Sequence, residues 1–159
     1  MSNLITKPQL PPKAGYVERV NDAGEHYYFR VPIGFMPRQL AISNSQDLAI
    51  PEARNNEFSI KMIGSGGNSS NGQYIETILN LNSGTDIHVE INDASQESVG
   101  GTVSFGSYIC VLGGREEMQK ENTSTIIYGG KEYGKGKFSD TDKATNGIVL
   151  ISYDQPVYC

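Results

Sequence analysis

The side chains that could do chemistry in this chain are few and widely spaced, and the spacing limits what they could do. His26 lies between Glu25 and Tyr27 with no nucleophile close in sequence, so it reads as a satisfied or solvent-facing histidine, not a general base. His88 shares a strand face with Asp86 and Glu90, a grouping that could respond to pH; a wet sheet face is the simpler reading. Asp140-Thr141-Asp142 has the two-carboxylate spacing of calcium loops but lacks the third ligand, the central Gly and the terminal Glu. Asp140 and Asp142 are therefore weak metal candidates, and a solvated turn is expected there. Gly64-Ser65-Gly66-Gly67 loosely resembles a phosphate loop, but no Lys-Ser/Thr pair follows and the next segment is a strand, so a turn is expected. Cys110 lies in an apolar run and reads as a small packing residue, and Cys159 as a free terminal thiol. Two Cys without metal-ligand spacing to His26 or His88 make no four-ligand zinc site. No carboxylates are paired by any acid–base signature. The expectation is a non-enzymatic protein with no catalytic residues, cofactor or resident metal.

What remains is contact chemistry. The chain has no Trp, which removes the strongest stacking platform for sugars, but it has nine Tyr. Exposed Tyr supplies rigid amphipathic contact area at low entropic cost. Tyr128, Tyr133 and Phe138 fall in a glycine-rich stretch with Lys131, Lys135 and Lys137, so Tyr128, Tyr133, Lys135, Lys137 and Phe138 are the binding candidates. The net charge is −5: residues 1–80 carry seven Lys/Arg against seven Asp/Glu, and residues 81–159 six against eleven. Glu132, Asp140 and Asp142 dilute the one lysine cluster, so nothing supplies the electrostatic footprint of a nucleic-acid binder. No stretch is apolar enough to span a membrane as a helix, and the first residues lack the apolar core of a secretion signal, so synthesis in the cytoplasm is expected.

The elements that must hold these residues are strands. At 159 residues, one domain with one substantial core is favoured over two marginal ones. Hydrophobic residues make up 37% and charged residues 19%, with 18 Gly, a mixture suited to short strands and tight turns. Residues 1–14, with Pro8, Pro11 and Pro12, read as an extended Pro-rich arm, and residues 15–159 as the β domain. A hairpin is expected from Tyr16–Val20 and His26–Val31 around Asn21-Asp22-Ala23-Gly24-Glu25. Further strands are expected over 39–42, 58–63, 74–81, 86–91, 102–112, 125–128 and 147–153. Ile87, Val89 and Ile91 alternate with Asp86, His88 and Glu90, the mark of a half-buried strand. Together these segments predict an all-β, antiparallel sandwich or barrel-like domain with Gly-rich turns. Apart from the strand over 125–128, residues 44–56 and 113–146 fit no strand, and Glu116–Lys120 suits one helical turn or a loop equally. Long loops of this kind often carry function.

The order of the segments resembles the glycine-rich domains of bacteriophage tail-fibre and related virion structural proteins. Tyr28-Phe29-Arg30-Val31-Pro32-Ile33-Gly34 matches an aromatic-x-Val-Pro-x-Gly turn, and Ile60-Lys61-Met62-Ile63-Gly64-Ser65-Gly66-Gly67 a strand entering a Gly-rich loop. The hairpin through Asn82-Ser83-Gly84, the strand Gly100-Gly101-Thr102-Val103-Ser104-Phe105-Gly106 and the run to Gly113-Gly114 follow in order. Gly147-Ile148-Val149-Leu150-Ile151-Ser152-Tyr153 matches the closing pattern. The resemblance covers about residues 26–153. Residues 37–56 read as an insertion, and residues 115–146 stand where such domains usually carry glycine. The resemblance implies a homotrimeric virion protein without catalytic residues, made in the host bacterial cytoplasm. Its partner would be a bacterial cell-surface receptor, carbohydrate included, or a neighbouring tail protein. A purely structural virion part, such as a capsid decoration or baseplate protein, is the alternative.

Overall fold

The computed structural model describes residues 16–118 and 123–158. The Pro-rich arm expected over 1–14 lies outside them, as do Gln119, Lys120 and Cys159. The described residues form an all-β protein whose strands are β1 (Tyr16–Val20), β2 (His26–Arg30), β3 (Gly34–Ile42), β4 (Gln46–Ala49), β5 (Glu57–Ile63) and β6 (Tyr74–Asn80). They continue as β7 (Asp86–Ile91), β8 (Val103–Phe105), β9 (Ile109–Val111), β10 (Ile126–Tyr128), β11 (Lys131–Tyr133) and β12 (Ile148–Val157). Short 3-10 turns occur at Arg54–Asn56 and Glu116–Met118.

Two four-stranded antiparallel sheets make the body. The first has the order β3-β12-β5-β6 and the second β4-β7-β8-β9. Period-two patterning explains which face each strand turns inward. Phe58, Ile60 and Met62 of β5 and Val149 and Ile151 of β12 meet Ile87, Val89 and Ile91 of β7 and Val103 and Phe105 of β8 in the main core. Most of these side chains are wholly buried. The sandwich is thus the expected all-β architecture, with the main core between its sheets.

A second, smaller core lies on the other face of the first sheet. There Ile63, Ile148 and Leu150 point away from the sandwich and are covered by Ile126 and Tyr133 of the β10–β11 hairpin. This accounts for the near-continuous apolar run at the start of β12, which is buried on both faces. Farther along, β12 outlasts β5 and pairs only with β3, down to Val157 opposite Gly34. Pro37 sits on β3, an edge strand, where a missing donor is tolerated.

The two stretches expected to lack strands are corrected. Within 44–56, β4 forms an edge of the second sheet and pairs with β7. Within the segment read as an insertion, residues 37–42 belong to β3, which takes in the strand expected over 39–42 and pairs with β12 over nine residues. Within 113–146 the strand expected over 125–128 forms as β10, and it pairs with an unexpected strand, β11, in a hairpin turned by Gly129 and Gly130 at φ 58° and 80°. The strand expected over 102–112 is two strands, β8 and β9, folded back at Gly106 (φ 52°). The first hairpin forms as expected: Asn21 Oδ1 accepts the Ala23 and Glu25 amides, and Gly24 takes φ 81°.

Candidate functional site

Four loops meet at one end of the sandwich: 64–73 from β5 to β6, 92–102 from β7 to β8, 112–115 after β9, and 134–147 leading into β12. What joins them is main chain packed on main chain. A Cβ on Gly66 would lie 1.8 Å from the carbonyl oxygen of Lys135, and one on Gly113 would lie 1.9 Å from that of Gly100. Gly64, Gly72, Gly100 and Gly136 are equally closed by neighbouring backbone. Only a residue without a side chain permits that approach.

Gly64-Ser65-Gly66-Gly67 is the hub of this node, not the exposed turn its composition suggests; all four residues are buried. Ser65 N donates to Gly101 O (3.0 Å), Gly66 N to Thr145 O (2.9 Å) and Gly114 N to Ser65 O (2.8 Å). Lys137 N donates to Gly67 O and Ser69 N to Lys137 O, closing the fourth loop over the first. Two buried side chains enter the node as backbone substitutes. Buried Ser65 Oγ donates to Asn92 O (2.5 Å) and accepts from Gly147 N (2.8 Å). Asn71 Oδ1 accepts from Gly136 N (2.8 Å). Buried backbone groups must find partners, and here four loops satisfy one another.

The sequence candidates divide around this node. Lys135, Lys137, Phe138, Asp140 and Asp142 lie on the 134–147 loop above it. Lys135 is no free cation: its Nζ lies 2.8 Å from Asp142 Oδ1. That contact holds the Asp142 carboxyl below its ordinary range and the Lys135 ammonium above its own. Asp142 Oδ2 also accepts the Phe138 amide at 3.4 Å. Of the weak metal pair, Asp142 is already held by an ammonium and an amide, while Asp140 is exposed. Among the described residues, no three His, Cys, Asp or Glu gather around a common point. Lys137 is half-buried with its backbone tied to the hub, whereas Phe138 is 56% exposed.

Tyr128 and Tyr133 lie on the β10–β11 hairpin and differ. Tyr128 is 38% exposed beside the Gly129-Gly130 turn. Tyr133 is half-buried against the smaller core. Sequence reasoning passed over Ile127, 72% exposed on the same hairpin. It also missed the buried polar trio Ser65, Ser70 and Asn71. The usable signal was positional: small residues recur just past the ends of β5, β9 and β11 and just before β8, positions that the fold brings together.

Histidines lie elsewhere. His88 on β7 is exposed, with Nδ1 2.7 Å from Asp47 on β4, its cross-strand neighbour. His26 Nδ1 lies 2.5 Å from Glu18 across the first hairpin. On the outer face of the first sheet, a recess of about 720 Å³ is lined by Arg38, Gln39, Arg54, Glu57, Ser59 and Ser152, among others. A smaller one of about 430 Å³ lies where Tyr74, Lys61 and Glu76 meet Ile126 and Ile127. Partial burial and the neighbouring Glu76 carboxylate push the Tyr74 phenol up. Cys110 faces solvent on the edge strand β9, contrary to the packing role expected of it. No known family model, curated protein or solved structure matches the chain.

Proposed function

We propose that this protein is a non-enzymatic bacteriophage virion component, of a tail fibre or tail tip. In this reading the loops around the glycine node, together with the β10–β11 hairpin, touch the host cell surface or a neighbouring tail protein. The node itself carries the reading. Its loops are held by main-chain bonds to one another, so their outward side chains are ordered before any partner arrives. Contact surfaces ordered in advance lose less entropy on binding. Phe138 on the 134–147 loop and Ile127 and Tyr128 on the hairpin are large apolar side chains left in solvent, as a contact surface requires.

Labelled protein incubated with a panel of bacterial cells tests the reading. Retention by some strains is expected, reduced about tenfold or more by Phe138→Ala combined with Tyr128→Ala, the loss typical of two contact residues. An unchanged melting temperature would show that the loss is local. Retention by no strain, or retention indifferent to the double variant, argues against a receptor-binding role for these loops. Particles that fail to assemble when they carry the double variant would instead assign the protein a purely structural place in the virion.

A further inference from the structure

Each four-stranded sheet ends in strands whose outer backbone groups need a partner or a guard. The first sheet's β3 carries Pro37 and Arg38, both of which discourage strand addition. In the second sheet β4 is four residues long, with Asp47 at its centre, and β9 is three residues long. Edge strand β6 differs from all three. It runs seven residues, Tyr74–Asn80, in unbroken register with β5, without Pro, Lys, Arg or a bulge, and its one charged side chain, Glu76, is already paired with Lys61 of β5 (3.6 Å). Among the described residues, no strand pairs with its other side. Apolar surface flanks it: Ile78 is 62% exposed on the strand itself, and Ile127 lines the recess shared with Tyr74 and Glu76.

We infer that β6 pairs antiparallel with β6 of a second copy of this chain, joining two first sheets into one eight-stranded sheet about a two-fold axis. The strand is self-complementary in one register. Because opposed residues must share a face, the axis passes through a residue, and centring it on Thr77 uses the whole strand. Ile75 then faces Leu79 of the other copy. Both are half-buried against the main core, so that core would continue across the junction. On the outer face Glu76 falls opposite Ile78, and Tyr74 opposite Asn80. Centring on Glu76 instead would oppose two carboxylates, and centring on Ile78 would shorten the ladder. The pairing does not depend on the function proposed above, and an isologous two-fold contact makes a dimer where the sequence resemblance implies a trimer.

Sedimentation analysis of the whole chain across micromolar to millimolar concentrations tests it. A dimer is expected. Ile78→Glu sets two Glu–Glu contacts across the axis and should weaken the dimer by about tenfold or more. Ile78→Lys sets Lys opposite Glu76 twice and should keep it. Ile78 is exposed, so both variants should retain the circular dichroism of the natural chain. Amide exchange in the natural chain gives an independent reading: the β6 amides pointing away from β5 should become protected as concentration rises. A monomer at every concentration, an assembly indifferent to Ile78→Glu, or equal weakening by Glu and Lys would overturn the pairing.

Discussion

Replacing Gly66 with Ala adds one methyl group where the structure has no room for it. The new Cβ would lie 1.8 Å from the Lys135 carbonyl oxygen and 2.3 Å from its carbon, whereas ordinary contact begins near 3.4 Å. Both obstacles are backbone, so no side chain can swing aside, and one loop must retreat by well over an ångström. That retreat breaks Gly66 N to Thr145 O (2.9 Å) and strains Ser95 N to Gly66 O (3.1 Å). A buried backbone group left without a partner costs about 1–3 kcal/mol, so the variant should lose about 3–5 kcal/mol. For a domain of this size that lowers the melting temperature by about 10–15 °C. Gly34→Ala is the control, because its added Cβ meets nothing within 4 Å and its φ is not left-handed. It should change stability by less than about 0.5 kcal/mol. Urea unfolding of both variants beside the natural chain gives the comparison. If Gly66→Ala falls within 1 kcal/mol of the natural chain, or if the two variants lose alike, the node is not packed backbone on backbone, and the argument fails.

Ser65→Ala removes an acceptor from Gly147 N and a donor to Asn92 O in a buried position, and should cost about 2–4 kcal/mol by denaturant unfolding; a loss below about 0.5 kcal/mol would show that those groups find other partners. The Lys135–Asp142 contact has a defined pH window. The lowered Asp142 value means that its contribution is complete above the ordinary aspartate value of 3.8 and is lost as pH falls through the lowered folded value. The raised Lys135 value means that its contribution is complete below the ordinary lysine value of 10.5 and is lost as pH rises through the raised folded value. The pair therefore holds across neutral pH and weakens at both extremes. In a carboxyl NMR titration Asp142 should have its midpoint below 3.8 and return towards that value in Lys135→Met; an unmoved midpoint would remove Lys135 as the cause.

What could be read in advance follows from how much of each strand touches the core. β5 and β7 alternate cleanly because each has one face on the main core, and their period-two pattern is visible in the residues alone. β4 was hidden because a short edge strand needs little apolar pattern: of Gln46, Asp47, Leu48 and Ala49, only Leu48 is half-buried. The β10–β11 hairpin had a local signal, since Gly129-Gly130 between Tyr128 and Lys131 suits a two-residue turn with positive φ at both positions. Long polar flanks obscured β11, whereas β10 falls within the strand expected over 125–128. The glycine node had no periodic signature, because it is made by contacts between loops distant in sequence whose shared feature is a missing side chain. The partial burial of Tyr133 was hidden for a related reason: the smaller core exists only once the hairpin folds onto Ile63, Ile148 and Leu150.

The position of β12 bears on how the molecule comes to be made. It lies between β3 and β5, more than a hundred residues downstream of β3. Until residues 148–157 have left the ribosome, β3 has no neighbour in its sheet and β5 has only β6. A nascent chain can form its hairpins, but it leaves two apolar strands waiting for a late one. Sheets closed by such distant pairings form slowly and expose sticky intermediates while they wait. A chain stopped before Ile148 is accordingly expected as a clumping fragment rather than a shortened sandwich, and a chaperone's help matters most until β12 has emerged.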